Sequence, residues 1–342
     1  MSANVNTCAL LADVQLAADR VWADSAKQKD YVANVDVANA VIANQTVRFE
    51  ALQNPLKDNS VLLYWPEYCS PTVASCSDDC TISGSKPGTS CQEYTLSMCK
   101  QVEFSVDTKA YRTIATNFED AVAVSLLSNM SKLDEAIAVE FVNKMETGKG
   151  VNAYTGGKGT VNGFETEIAA PYWNSSLFGY LNLVAKKNQF NNAYLVSGEN
   201  LYEAYFNAQA NAANADGKGA KTLFDAFPIY FDLFNIDSTL SPDKATFMLN
   251  KNALAFVSKN YWDWSATDAK AEQFGGVGSS AGMRYKIASK NLAGVFYDVI
   301  YKIVCSGNEI THSWRLTFNG DIFRNPVGCD LNNTNILKFV CA

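Results

Sequence analysis

Five cysteines, Cys69, Cys76, Cys80, Cys91 and Cys99, fall within about thirty residues and form the densest group of reactive side chains in the sequence. Thiols crowded in this way can form disulfides, bind a soft metal, or stay free for contact with another subunit. Zinc ribbons use close C-x-x-C knuckles. Here the gaps hold six, three, ten and seven residues, so disulfides are the better expectation. Cys8, Cys305, Cys329 and Cys341 lie near the two ends. His312 is the single histidine. It falls in the apolar phase of a strand between Ile310 and Trp314, which predicts a hydrogen-bonded core or interface histidine rather than a base. With one histidine, Cys/His and Ser/His/Asp schemes would all need this residue, and no G-x-S-x-G elbow accompanies it. The glycine-rich stretches 148–163 and 275–282 contain neither a P-loop Lys-Ser pair nor a G-x-G-x-x-G. Asp78 and Asp79 read as solvated charge. Lys86, beside Pro87, is either a solvated turn lysine or an ion-pair partner for a neighbouring subunit. No catalytic site, cofactor or metal is expected.

Composition narrows the classes further. The chain has 342 residues, 48% of them apolar, enough for a sizeable core, and a net charge of −7. An acidic protein does not suit direct wrapping of nucleic acid, which needs clustered Lys and Arg. No run of 18 apolar residues occurs, so no membrane span is expected. The start, MSANVNTCALLADVQLAAD, lacks a basic segment and reads as a poor secretory signal.

The elements that would position these residues are legible as periods. Phe118, Val122, Leu126, Met130, Leu133, Ile137 and Phe141 recur at helical spacing and predict a helix over 116–148. Such a helix is about 45 Å long, with Thr116 and Glu119 as a capping box and Gly148 as its stop. Residues 61–107 read as a long two-stranded hairpin. Its second strand alternates through Tyr94, Leu96, Met98, Val102, Phe104 and Val106. Pro66 marks the first strand as an edge, and TISGSKPGTS is the tip. Opposed residues of an antiparallel pair share a centre. Cys69 with Cys99, and Cys76 with Cys91, share one near Gly84 and would face each other at disulfide distance. Cys80 would oppose Gly88 and remain as a candidate intersubunit thiol.

Residues 8–52 read as a helix-rich arm that gains order from neighbours, and 148–163 as a loop. A helix follows from 175 to 187, then a strand at 193–197 and a helix from 199 to 213 capped by Ser197. Strands are expected at 227–234 and 245–250, and 253–264 is ambiguous. Residues 295–303 and 309–318 form a hairpin with one buried face, and 335–341 is a final strand. A long ribbon is marginal alone, so extended segments of this kind call for a partner surface, and a second copy of the chain can supply it.

In this order the parts resemble the major capsid proteins of tailed bacteriophages, the Hong Kong 97-type fold. WNSSLFGYLNLVAKKNQF followed by NNAYLVSGENLYEAY is similar to their helix–strand–helix passage. FPIYFDLFNIDSTLSPDKATFMLNKNALAFVSK is similar to their short strand, acidic turn and following strand. The resemblance implies an α+β chain with an N-terminal arm at 1–60, an E-loop at 61–107, and a P-domain spine helix with its following loop at 108–169. An A-domain would occupy 170–281, and P-domain strands 282–342. It further implies self-assembly into hexamers and pentamers of an icosahedral head in the host cytoplasm. Packaged double-stranded DNA would be held without sequence-specific binding, and portal, scaffold or decoration proteins would be partners. The chain departs from the pattern in its cysteine-rich E-loop tip and in showing no obvious scaffolding segment. An encapsulin-like compartment, a secreted disulfide-containing adhesin or surface protein, and a carbohydrate-active enzyme with Trp and Tyr platforms are the rival readings.

Overall fold

The computed structural model describes residues 7–51, 60–66, 89–108, 118–213, 227–240, 244–263, 272–274, 280–306, 309–326 and 335–342. They form an α+β chain with three sheets. One unit comprises Met1–Asn39, Ser97–Glu140 and Ser258–Asp321; the other comprises Ala40–Leu96, Phe141–Val257 and Ile322–Ala342.

Helices α1 (Thr7–Ala23), α2 (Ser25–Gln28) and α3 (Asp36–Asn44) open the chain. Val14, Ala17, Ala18 and Val21 of α1 and Val37, Ala38 and Val41 of α3 are buried. The arm therefore carries a packed face within its own chain, where the sequence suggested order borrowed from neighbours. Strands β1 (Arg48–Ala51), β2 (Ser60–Pro66) and β3 (Thr89–Thr95) follow as an antiparallel sheet with β2 in the middle. Pro66 is the last residue of this interior strand, so it marks an end and not an edge. Val61, Leu63 and Trp65 pack with Leu96, with Ala255 and Val257 of β10 (Leu254–Ser258), and with Phe323.

The expected second strand of the hairpin is divided. At Ser97 the backbone N–H and the hydroxyl both donate to Asp321, at 3.0 and 2.6 Å. Beyond it, β4 (Met98–Asp107) leaves the ribbon and pairs with β14 (Glu309–Arg324). Exposed residues alternate with buried or half-buried ones without a break from Tyr94 to Val106, because period two reports the face of a strand and not its partner.

The first unit is built on β14, β13 (Phe296–Ser306), β12 (Ser280–Ala288) and β11 (Glu272–Phe274), each antiparallel to the next, with β4 on the other side of β14. Tyr297, Val299, Tyr301, Trp314, Leu316 and Phe318 are buried, as the alternation predicts. Helix α4 (Phe118–Gly148) has 31 residues, and Val122, Leu126, Met130, Leu133, Ile137 and Phe141 form its buried stripe. Its contacts reach the sheet through Phe118, 4.8 Å from the His312 ring, and through Glu140, 2.5 Å from Lys100 of β4. Glu119 and Asp120 place negative charge in its first turn, which suits the helix dipole. Thr116 of the expected capping box lies outside the described residues.

The second unit holds a six-stranded sheet in the order β5 (Gly159–Asn162), β6 (Glu165–Ile168), β15 (Ile336–Cys341), β9 (Ala245–Asn250), β7 (Ala193–Ser197) and β8 (Ile229–Phe231). The β15–β6 and β7–β8 pairs are parallel. Helices α5 (Leu177–Lys187) and α6 (Glu199–Ala213) pack Leu177, Leu181, Val184, Leu201 and Ala204 onto Leu195, Met248, Leu337 and Phe339.

Three expectations change here. The supposed loop 148–163 contains β5, which forms a hairpin with β6 through Gly163 at φ +62°, a conformation that favours glycine. The final strand joins this sheet and not the one formed by β12 to β14, so 282–342 is not one block of strands. The α6 cap comes from Asp237 of the short helix α7 (Asn235–Thr239), whose carboxylate accepts the Glu199 N–H at 3.1 Å. Ser197 instead hydrogen bonds with Thr246 at 2.7 Å.

Candidate functional site

The residues singled out for chemistry do not converge. Cys69, Cys76, Cys80 and Lys86 lie outside the described residues, with Asp78 and Asp79. Cys91 stands on β3 opposite Tyr64, whereas Cys99 stands on β4 opposite Asn319. The two belong to different sheets, and the partners expected for them, Cys76 and Cys69, lie outside the described residues. Cys99 and Cys341 are exposed free thiols. Among the described residues, no group of three His, Cys, Asp or Glu side chains could hold a metal ion. Among them also, no helix is long and apolar enough to cross a membrane.

His312 sits where the alternation placed it, 4% exposed. Its Nδ1 is 2.6 Å from the Tyr301 hydroxyl. Its ring lies 6.1 Å from Trp314, which stacks on Phe104 at 5.1 Å. Burial lowers its pKa and keeps it neutral. These are the surroundings of a core residue.

Polar chemistry is instead concentrated at three buried positions that sequence reasoning passed over. Asp134 of α4 is fully buried. It accepts from the Ser289 hydroxyl at 2.7 Å, from Asn291 Nδ2 at 2.9 Å, and from the Tyr297 hydroxyl. Burial pushes its carboxyl up to about 6 against the pull of these donors. Asp298 of β13, also buried, accepts the backbone N–H of Tyr261 at 3.0 Å and of Trp262 at 3.4 Å. Burial raises it to about 6 as well.

In the second unit, Lys338 of β15 is 3% exposed. It lies 2.8 Å from Glu165 and 3.2 Å from Glu146, and Lys149 reaches the same two glutamates, Glu165 at 2.6 Å. Burial works against charge on both Glu165 and Lys149. The mutual hydrogen bonds outweigh it, so Glu165 titrates below and Lys149 above its ordinary value. The signals were present: Asp134 interrupts the apolar stripe of α4, and Lys338 interrupts ILKFVC.

One surface remains. Tyr202 and Phe206 of α6 are exposed, with ring centres 4.5 Å apart, and Tyr202 meets Phe231 of β8 edge-on at 5.2 Å. Strand β8 is an outer strand of the six-stranded sheet. An aromatic ledge beside a strand that is outermost among the described residues is a surface suited to association, and it is the candidate functional site.

No protein-family model and no curated protein matches the chain. The solved structures it resembles include phage capsids. A structure of Mycobacterium phage Che8 matches at 12% identity and TM-score 0.41, covering 86% of this chain and 92% of that one. The capsid of a native GTA particle matches at 10% identity and TM-score 0.42, with the same coverage. The mature capsid of bacteriophage PhiM1 matches at 6% identity and TM-score 0.44, covering 83% of this chain and 82% of that one.

Proposed function

We propose that the chain is a major capsid protein that self-assembles into hexamers and pentamers of an icosahedral phage head. The head would enclose double-stranded DNA without sequence-specific binding. One observation carries this reading, the order of elements. A helical arm, the β2–β3 ribbon, the 31-residue helix α4, a mixed α/β sheet and a return to long antiparallel strands follow one another in the sequence expected of a Hong Kong 97-type subunit. On this reading the ribbon is the E-loop, α4 is the spine helix, and β4 with β12 to β14 is the P-domain sheet. The six-stranded sheet with α5 and α6 is the A-domain, to which β15 returns. Cys80 and Lys86, which follow β2 in the sequence and lie outside the described residues, are proposed contacts with a neighbouring copy. The role is structural, and portal, scaffold or decoration proteins are its further partners. The test is electron microscopy of the purified chain with sedimentation. Closed shells are expected, and a chain that stays a lone monomer at high concentration overturns the proposal. Nucleic acid inside shells from infected cells separates a virus head from a protein-filled compartment.

A further inference from the structure

Two buried carboxylates work on adjacent residues of one strand. Asp134 reaches β13 through the Tyr297 hydroxyl, and Asp298 is the next residue. Successive strand residues face opposite ways, so the two carboxylates serve opposite faces of the sheet. Each holds a segment that lies outside it. Asp134 anchors Asn291, whose Oδ1 accepts the Ala33 N–H at 3.0 Å and whose backbone carbonyl accepts Asn39 Nδ2 at 3.0 Å. Asp298 takes the N–H groups of Tyr261 and Trp262 directly.

The hydrogen-bond donors described at both carboxylates are neutral. Around Asp134, Glu135 on the same helix repels it. Lys290, beside Ser289 and Asn291, is engaged by Asp19 of α1 at 2.7 Å. Around Asp298, Lys286 is its cross-strand neighbour on β12 and extends over the Phe296 ring at 5.1 Å. Thr317 opposes it on β14. Asn260 and Asn319 present amides to it, Arg284 lies over Trp262 at 5.9 Å, and Asp263 ends the segment exposed.

We propose that Asp134 and Asp298 are two proton-operated latches, which fasten residues 31–39 and 260–262 when neutral and loosen them when ionised. Both carboxyls sit at about 6 in the folded chain, against about 3.9 in an unfolded one. A group raised on folding contributes stability that is fully present below the unfolded value and is lost as pH rises through the folded value. The window runs from about pH 4 to pH 7, and its direction is opposite to ordinary acid unfolding. For each latch, local opening becomes about tenfold more populated on going from pH 5 to pH 7.5.

The latches act within one unit of one chain and do not depend on the shell reading. Hydrogen exchange of the full chain, corrected for intrinsic rates, tests them at Ala33, Tyr261 and Trp262, with β9 amides as the reference. Protection at the three amides is expected to fall about tenfold relative to β9 between pH 5 and pH 7.5. Asp134→Asn flattens the profile at Ala33 alone, and Asp298→Asn flattens it at Tyr261 and Trp262 alone. Profiles that are flat or rising with pH in the unmodified chain overturn the proposal, whether or not the variants fold. So does either variant flattening both profiles.

Discussion

Lys338 shows what a single residue does in this fold. It stands on β15 opposite Glu165 of β6 in the parallel register, and it shares Glu146 and Glu165 with Lys149. Lys338→Met leaves two carboxylates to one amine. Breaking a fully buried pair costs about 3–5 kcal/mol. The glutamates keep 28% and 29% of their side chains exposed, so about 2–3 kcal/mol is expected, read as a lower urea midpoint at unchanged slope. A cost within error of zero would show the quartet to be ornamental. The pH signs follow from the shifts. Glu165, lowered on folding, contributes above the ordinary carboxylate value and stops contributing as pH falls through its folded value. Lys149, raised, contributes up to the ordinary amine value and stops above its folded one. At this scale the sequence was partly readable. The phase of His312 foretold its burial because alternation states which face a residue occupies. The partners of Lys338 are Glu146 and Glu165, which come from distant stretches of the chain, and no local pattern encodes such a meeting.

Elements divide the same way. Helix α4 and the β13–β14 hairpin were legible because each buries one face along its whole length, so its period is written in full. The β5–β6 hairpin was hidden because four-residue strands carry too few side chains to show a period, and glycines dominate the stretch. The break between β3 and β4 was hidden because both strands bury the same phase. Within α6 the signal at Ser197 named a cap of the right chemistry at the wrong residue. Asp237→Ala removes the carboxylate that accepts the Glu199 N–H and should cost about 1 kcal/mol, whereas Ser197→Ala leaves that hydrogen bond intact. Exchange of the Glu199 amide distinguishes the two. Gly159→Ala is a sharper probe of the hidden hairpin. A Cβ there would stand 2.6 Å from Thr166 Cγ2 and collide with the Tyr180 hydroxyl. A loss of about 1–3 kcal/mol is expected from such overpacking.

For the whole molecule, the aromatic ledge is where folding and association can be told apart. Phe206 is 47% exposed and Tyr202 37%, so replacing both with serine removes little from the core. Thermal unfolding of the unassembled double variant should stay within about 0.5 kcal/mol of the parent. Central aromatic anchors are worth about 2 kcal/mol or more at an interface, so the concentration needed for shells should rise about thirtyfold. Shell formation at the parental concentration would remove the ledge from the interface while leaving the capsid reading in place. The position of β15 bears on how the protein is made. Strands β6 and β9 lie on either side of it, yet residues 336–341 are translated long after both. A ribosome carrying everything up to residue 335 therefore presents two raw flanks with a gap between them. Unpaired flanks of this kind are open to mispairing, and they are joined only once residues 336–341 have left the ribosome.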